Sequence, residues 1–138
     1  MSKVKKAGCI LINIEEKTIA LVLRKQNEYS FPKGHVEEGE SLIECAIRET
    51  EEETKRACEI LENEPIYTEE YVTPRGEDVI MYYFLAKDIG LSSNTSEDTH
   101  QTFWLPYDEV YNKLSYPSLK TVWNNTKDKV KEYFYKKG

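Results

Sequence analysis

The chain has 138 residues, 39% hydrophobic, 12% aromatic and 32% charged, with a net charge of −6 and a sequence pI of about 5.1. That length suits one compact domain over residues 1–138, with ten Tyr and two Trp to supply large buried rings. No stretch approaches the roughly 18 consecutive apolar residues that cross a bilayer, so no membrane partner is expected. The acidic balance argues against general coating of nucleic acid, which is not an expected partner. Residues 1–6 are charged and run straight into an apolar segment with no small-residue cleavage site after it, so a cytoplasmic protein is expected. Cys9, Cys45 and Cys58 are odd in number and form no C-x-x-C pair, which predicts three reduced core thiols.

Taken in chain order, Ala7–Ile14 is a nearly continuous apolar strand and Thr18–Arg24 a second, joined as a hairpin through Glu15, Glu16 and Lys17. Asn27–Gly39 carries Pro32, Gly34 and Gly39 and predicts an irregular loop. Ser41, with Glu44 three residues on, makes a capping box that opens a helix to about Thr54. Pro65–Thr73 alternates weakly and ends in the Pro74-Arg75-Gly76 turn, and Val79–Ala86 is a buried strand. A polar loop over Gly90–Gln101 leads to a short strand at Thr102–Leu105. Pro106–Leu114 and Ser118–Tyr135 follow as helices, the last amphipathic through Leu119, Val122, Trp123, Val130, Tyr133 and Phe134. The basic C-terminal stretch of Lys120, Lys127, Lys129, Lys131, Lys136 and Lys137 fits a solvated helix face with a frayed end. Strands on either side of one helix, then terminal helices, predict an α/β fold: a mixed, partly antiparallel sheet between helices.

The chemistry concentrates between Phe31 and Arg56. Glu49, Glu52 and Glu53 stand at i, i+3 and i+4, so their carboxylates converge on one helix face beside the apolar stripe of Ile43, Ala46, Ile47 and Thr50. Like charges at that spacing repel, and a hard divalent cation turns the repulsion into attraction. Arg48 reaches Glu44 or Glu52 at i±4 and is placed to hold a carboxylate. A bare E-x-x-E-E on its own fits a solvated helix face better than a metal site. The approach loop changes the balance: Gly34 and Gly39 let the backbone come close to a ligand, and Lys33 sets a positive charge near a bound anion.

Gly34, Glu40, Arg48, Glu49, Glu52 and Glu53 fall on the fixed positions of G-x5-E-x7-R-E-U-x-E-E-x-G-U, where U is a bulky apolar residue. This stretch resembles the signature box of the Nudix hydrolases, and it covers about a sixth of the chain. Three positions depart: Thr50 and Arg56 stand where apolar residues are usual, and Lys55 replaces the closing Gly. Without that Gly, the helix is expected to continue or to end differently, with Ala57 and Cys58 reaching the core.

The resemblance implies a Nudix-like α/β/α sandwich and an enzyme that cleaves a phosphoanhydride in a nucleoside diphosphate linked to another group. Carried over position by position, Glu49, Glu52 and Glu53 resemble the metal-binding carboxylates, with the Gly34 carbonyl and Glu40 as supplementary groups. Arg48 resembles the residue that orients a helix carboxylate. The implied cofactor is Mg²⁺, with Mn²⁺ an acceptable substitute. The general base is either Glu49 or an acid on a distant loop, for which Glu97 and Asp98 are the candidates. The wording around Pro32–Glu37 and Ala46–Thr50 is similar to the diadenosine tetraphosphate hydrolase branch. Lys33 and His35 are then candidate phosphate contacts, and one of Tyr82 and Tyr83 a ring against a base, since alternation lets only one face the cleft. The alternatives are a nucleoside triphosphate pyrophosphohydrolase of the MutT type and a non-hydrolytic nucleotide sensor. The oligomeric state is open.

Overall fold

Alternation along the first strand sets the two faces of the sheet. In β1 (Val4–Asn13), Ile10 and Ile12 enter one apolar cluster while Cys9 and Leu11 enter the other, because successive strand side chains point to opposite sides. The computed structural model describes residues 3–93 and 100–136, so the candidates Glu97 and Asp98 lie outside the described residues. β2 (Thr18–Arg24) returns antiparallel to β1 through Ile12↔Ile19 and Asn13↔Thr18, the expected hairpin.

Beyond those two pairs the strands take different partners. β1 pairs β4 (Lys33–His35) at Ala7↔Gly34, and β2 pairs β3 (Glu28–Ser30) at Leu23↔Tyr29. The segment expected as irregular loop therefore holds two strands, each three residues long and too short to leave a periodic trace in the sequence. Their backbone fills the fork between β1 and β2.

α1 (Leu42–Thr54) crosses one face of the sheet. Its Ser41 cap is the reciprocal box the sequence predicts: Glu44 N–H donates to Ser41 Oγ at 3.0 Å, and Ser41 N–H donates to Glu44 Oε1 at 2.8 Å. Cys45 and Ala46 pack with Leu11 and Phe84 beneath it. The helix stops at Lys55 even without glycine, because Lys55 itself takes the left-handed conformation (φ 58°, ψ 25°) and its N–H donates to the Glu51 carbonyl.

The chain then enters a strand that composition does not reveal, β5 (Arg56–Ile60). Arg56, in place of the usual apolar residue, makes a two-pronged ion pair with buried Asp88 (2.8 and 2.7 Å). Cys58 reaches the core as expected, whereas Ala57 is only partly buried.

β6 (Tyr67–Val72) and β5 lie antiparallel along one side of β7 (Asp78–Leu91), and β1 lies parallel along the other. β7 outruns the apolar Val79–Ala86 segment because its polar tail is held by pairing with β5 rather than by burial. β8 (Gln101–Pro106) pairs β2. Where a helix was expected from Pro106, a 3₁₀ turn at Tyr107–Glu109 precedes the four-residue α2 (Val110–Lys113). α3 (Pro117–Tyr135) covers the second face, burying Leu119, Val122, Trp123, Val130 and Phe134 against Ile10, Ile12, Met81 and Leu85. The result is the expected sandwich, a mixed sheet between α1 and the α2–α3 pair.

An L-residue in the left-handed region costs roughly 1–2 kcal/mol, part of which glycine gives back as unfolded-chain entropy. Lys55→Gly is therefore expected to stabilise the fold by about 0.5–1 kcal/mol, read as a higher urea midpoint at unchanged m.

Candidate active site

One guanidinium organises the acidic face of α1. Arg48 Nε and one terminal nitrogen grip both oxygens of Glu40 at 2.6 and 3.0 Å. Its other terminal nitrogen donates to Glu49 at 3.0 Å and to both oxygens of Glu52 at 3.3 Å. The terminal nitrogen that grips Glu40 also donates to the His35 carbonyl at 3.0 Å, which ties α1 to β4. Of the two partners reachable at i±4, Glu52 is taken, while Glu44 is committed to the helix cap. The paired carboxylates in turn hold the Arg48 guanidinium well above its ordinary range, Glu40 foremost, and Arg48 holds Glu40 below its own.

Gly34 lies directly against this cluster: a Cβ there would overlap the Glu49 carboxyl group and force it to turn away. Burial pushes the Glu49 carboxyl above the usual carboxylate range, with Glu53 and Glu52 adding to the shift and Arg48 opposing it.

Glu53 faces elsewhere. Its nearly buried carboxylate accepts from Arg24 at 2.8 and 3.4 Å and from the Lys33 backbone N–H at 3.2 Å, and His100 Nε2 lies 3.9 Å away. Burial pushes its carboxyl above the usual carboxylate range, against the pull of Arg24. Arg24 is itself fixed by Ser30 Oγ at 2.6 Å and the Phe31 carbonyl at 3.4 Å. Nothing in the sequence near the box singles out Arg24, which comes from β2, 29 residues before Glu53.

A cavity of about 520 Å³ opens beside this pair, lined by Arg24, Lys33, Glu69, Tyr71, Tyr83 and Tyr116 among others. Burial brings the Lys33 ammonium down to about 8, helped by Arg24 and Lys6. Of the two tyrosines, Tyr83 lines the cavity, its ring buried edge-on against Phe31 (centroids 5.9 Å apart), while Tyr82 packs on the α1 side of the sheet. The His35 side chain is exposed and is not part of the cavity wall.

Among the described residues, no three His, Cys, Asp or Glu side chains meet as metal ligands; Glu49 and Glu52 turn to Arg48, and Glu53 turns to Arg24. The donor chemistry nevertheless fits a hard divalent cation. Glu40, Glu49 and Glu52 share one guanidinium, so the cluster keeps a surplus of negative charge, and every candidate donor is an oxygen.

The NUDIX domain profile matches residues 3–129. The chain belongs to the NUDIX family. Its Nudix fold is shared with a NUDIX hydrolase from Nitrosomonas europaea, at a TM-score of 0.77 and 17% identity over 93% of this chain and 90% of that one. The chain is 29% identical over 121 residues to the rat bis(5′-nucleosyl)-tetraphosphatase [asymmetrical], covering 82% of each protein. It is also 29% identical over 105 residues to an 8-oxo-(d)GTP phosphatase of Mycolicibacterium smegmatis; this matches 75% of the chain but only 32% of that longer relative.

Removing the Arg24 guanidinium strands the buried Glu53 carboxylate. Arg24→Met is expected to cost about 2–3 kcal/mol in chemical denaturation, and Glu53→Gln in the same chain is expected to recover most of it.

Proposed function

We propose that this chain is a Mg²⁺-dependent hydrolase of a phosphoanhydride bond in nucleoside polyphosphates, with diadenosine tetraphosphate the favoured substrate. The observation that carries the reading is the gathering of Glu40, Glu49 and Glu52 on Arg48, directly against the side-chain-free backbone of Gly34. The rat relative's name supports the dinucleoside substrate, and the mycobacterial one supports a nucleoside triphosphate as the alternative. Residues 1–138 act as one domain. The expected setting is the cytoplasm, where Cys9, Cys45 and Cys58 stay reduced.

In this reading Glu49, Glu52 and Glu53, with the Gly34 carbonyl, hold the cation. Mg²⁺, when bound, supplies charge neutralisation of the diphosphate and a more acidic water. Arg48 keeps Glu49 and Glu52 from splaying apart and fixes their orientation relative to β4. Lys33 and Arg24 set positive charge on the cavity side of the cluster, where the phosphate chain is positioned. Glu49 is the general base: partial burial makes its Oε a better proton acceptor than an exposed glutamate. Glu97 and Asp98 are the alternative base, His35 is an outer phosphate contact, and Tyr83 rather than Tyr82 forms the wall beside the nucleoside.

With Mg²⁺ present, diadenosine tetraphosphate is expected to yield ATP and AMP, and EDTA to abolish the reaction. Release of pyrophosphate from nucleoside triphosphates alone would select the alternative substrate class. Glu52→Gln is expected to lower kcat about 10³-fold with an unchanged circular dichroism spectrum. Wild-type turnover by that variant would remove the metal assignment. Comparing Glu49→Gln with the Glu97→Gln and Asp98→Asn variants identifies the base as the one whose loss removes the acidic limb of the pH–rate profile.

A further inference from the structure

Strand alternation gives β6 an inward face of Tyr67, Glu69 and Tyr71 and an outward face of Thr68, Glu70 and Val72. The two adjacent glutamates meet different fates. Glu70 points out and pairs with Lys3 at 3.0 Å. Glu69 points in, between two tyrosines, onto the wall of the cavity that Tyr83 and Lys33 share. Among the described residues no hydrogen bond or ion pair reaches the Glu69 carboxylate, and Lys33 Nζ, on the same wall, has none either. Each senses the other's charge, yet they do not close into a pair. A half-buried carboxylate without a partner costs stability, so a strand whose other inward residues are aromatic has no structural reason to carry one.

The cavity is therefore polar in the electrical sense. Arg24 and Lys33 bring cationic groups to it next to the Glu53 end of the acidic cluster, and Glu69 and Glu28 bring carboxylates among aromatic and apolar residues. A ligand that satisfies both kinds of group carries negative charge in one part and neutral N–H or O–H donors on a flat apolar body in another. A nucleoside phosphate has that make-up, and a ligand with phosphate at both ends is repelled at Glu69.

We infer that Glu69 is the specificity-determining acceptor for the nucleoside end of the substrate, taking a hydrogen bond from its base amino group or its ribose hydroxyls and fixing which way the polyphosphate runs. This rests on the nucleoside-polyphosphate reading above and adds the residue that recognises the nucleoside. Glu69 touches no reacting group in this assignment; it acts on orientation and affinity.

The test uses the full chain and nucleoside monophosphates without metal, so that binding is read apart from turnover. By calorimetry, Glu69→Gln is expected to weaken AMP or GMP binding about tenfold, the loss of one hydrogen bond to a charged acceptor. Purine riboside 5′-monophosphate, which lacks the amino group, and 2′,3′-dideoxy-AMP separate the two donor sources: the analogue that binds wild type weakly and is indifferent to Glu69→Gln names the donor. In turnover the same variant is expected to raise KM far more than it lowers kcat, and its thermal midpoint is expected to equal or exceed that of wild type, since a buried charge is removed. Unchanged affinity in Glu69→Gln, a lowered thermal midpoint, or no monophosphate binding by wild type overturns the inference. Polyphosphate hydrolysis by wild type in any of those cases leaves the catalytic reading standing, and nucleotide binding that depends on Glu69 without hydrolysis removes the catalytic reading alone.

Discussion

Arg48 carries more carboxylates than it can neutralise, and the geometry of the candidate site follows from that imbalance. Glu40 comes from the approach loop, Glu49 and Glu52 from α1, and the His35 carbonyl from β4, all within 3.3 Å of one guanidinium. The ion pairs are only partly exposed, so the attraction is screened less than on an open surface. Because the arginine is planar and forked, it fixes directions as well as distances. The same site keeps a surplus of negative charge, the condition in which an oxygen-seeking divalent ion is favoured over further protein contacts.

Around this centre the sheet acts as a rigid frame. The fork between β1 and β2 admits the backbone of β3 and β4, and Gly34 sits in β4 opposite Ala7, where a side chain would displace the Glu49 carboxyl group. Two departures from the usual signature are absorbed locally. Lys55 ends α1 by adopting the left-handed turn itself, and Arg56 exchanges an apolar contact for an ion pair with Asp88 on β7. Thr50 keeps a buried hydroxyl with no partner among the described residues, so the third departure is tolerated rather than compensated.

Glu53 and the cavity link that frame to recognition. The Arg24–Glu53 pair stands between the acidic cluster and the cavity, with Lys33 donating its backbone N–H to the pair while its side chain faces the cavity. A single wall thus joins the region suited to cation and phosphate with the tyrosine-lined region suited to a base and sugar. Glu69 and Lys33 are charged residues on that wall whose burial works against folding stability, which is the usual mark of groups retained for binding.

Local rules wrote much of this in the sequence. The Ser41–Glu44 cap, the i,i+4 reach of Arg48 to Glu52, the buried stripe of α3 and the first hairpin all depend on neighbours within a few residues, where the 3.6 and 2.0 periods apply directly. The partners of those groups were not legible. Arg24 meets Glu53 across 29 positions, Tyr83 rather than Tyr82 is turned to the cavity by the register of β7, and β3, β4 and β5 exist because longer strands offer them hydrogen bonds. Sequence fixes which face of an element a side chain occupies; only the packed sheet decides what stands opposite that face, because pairing between distant segments depends on register and burial that no local window contains.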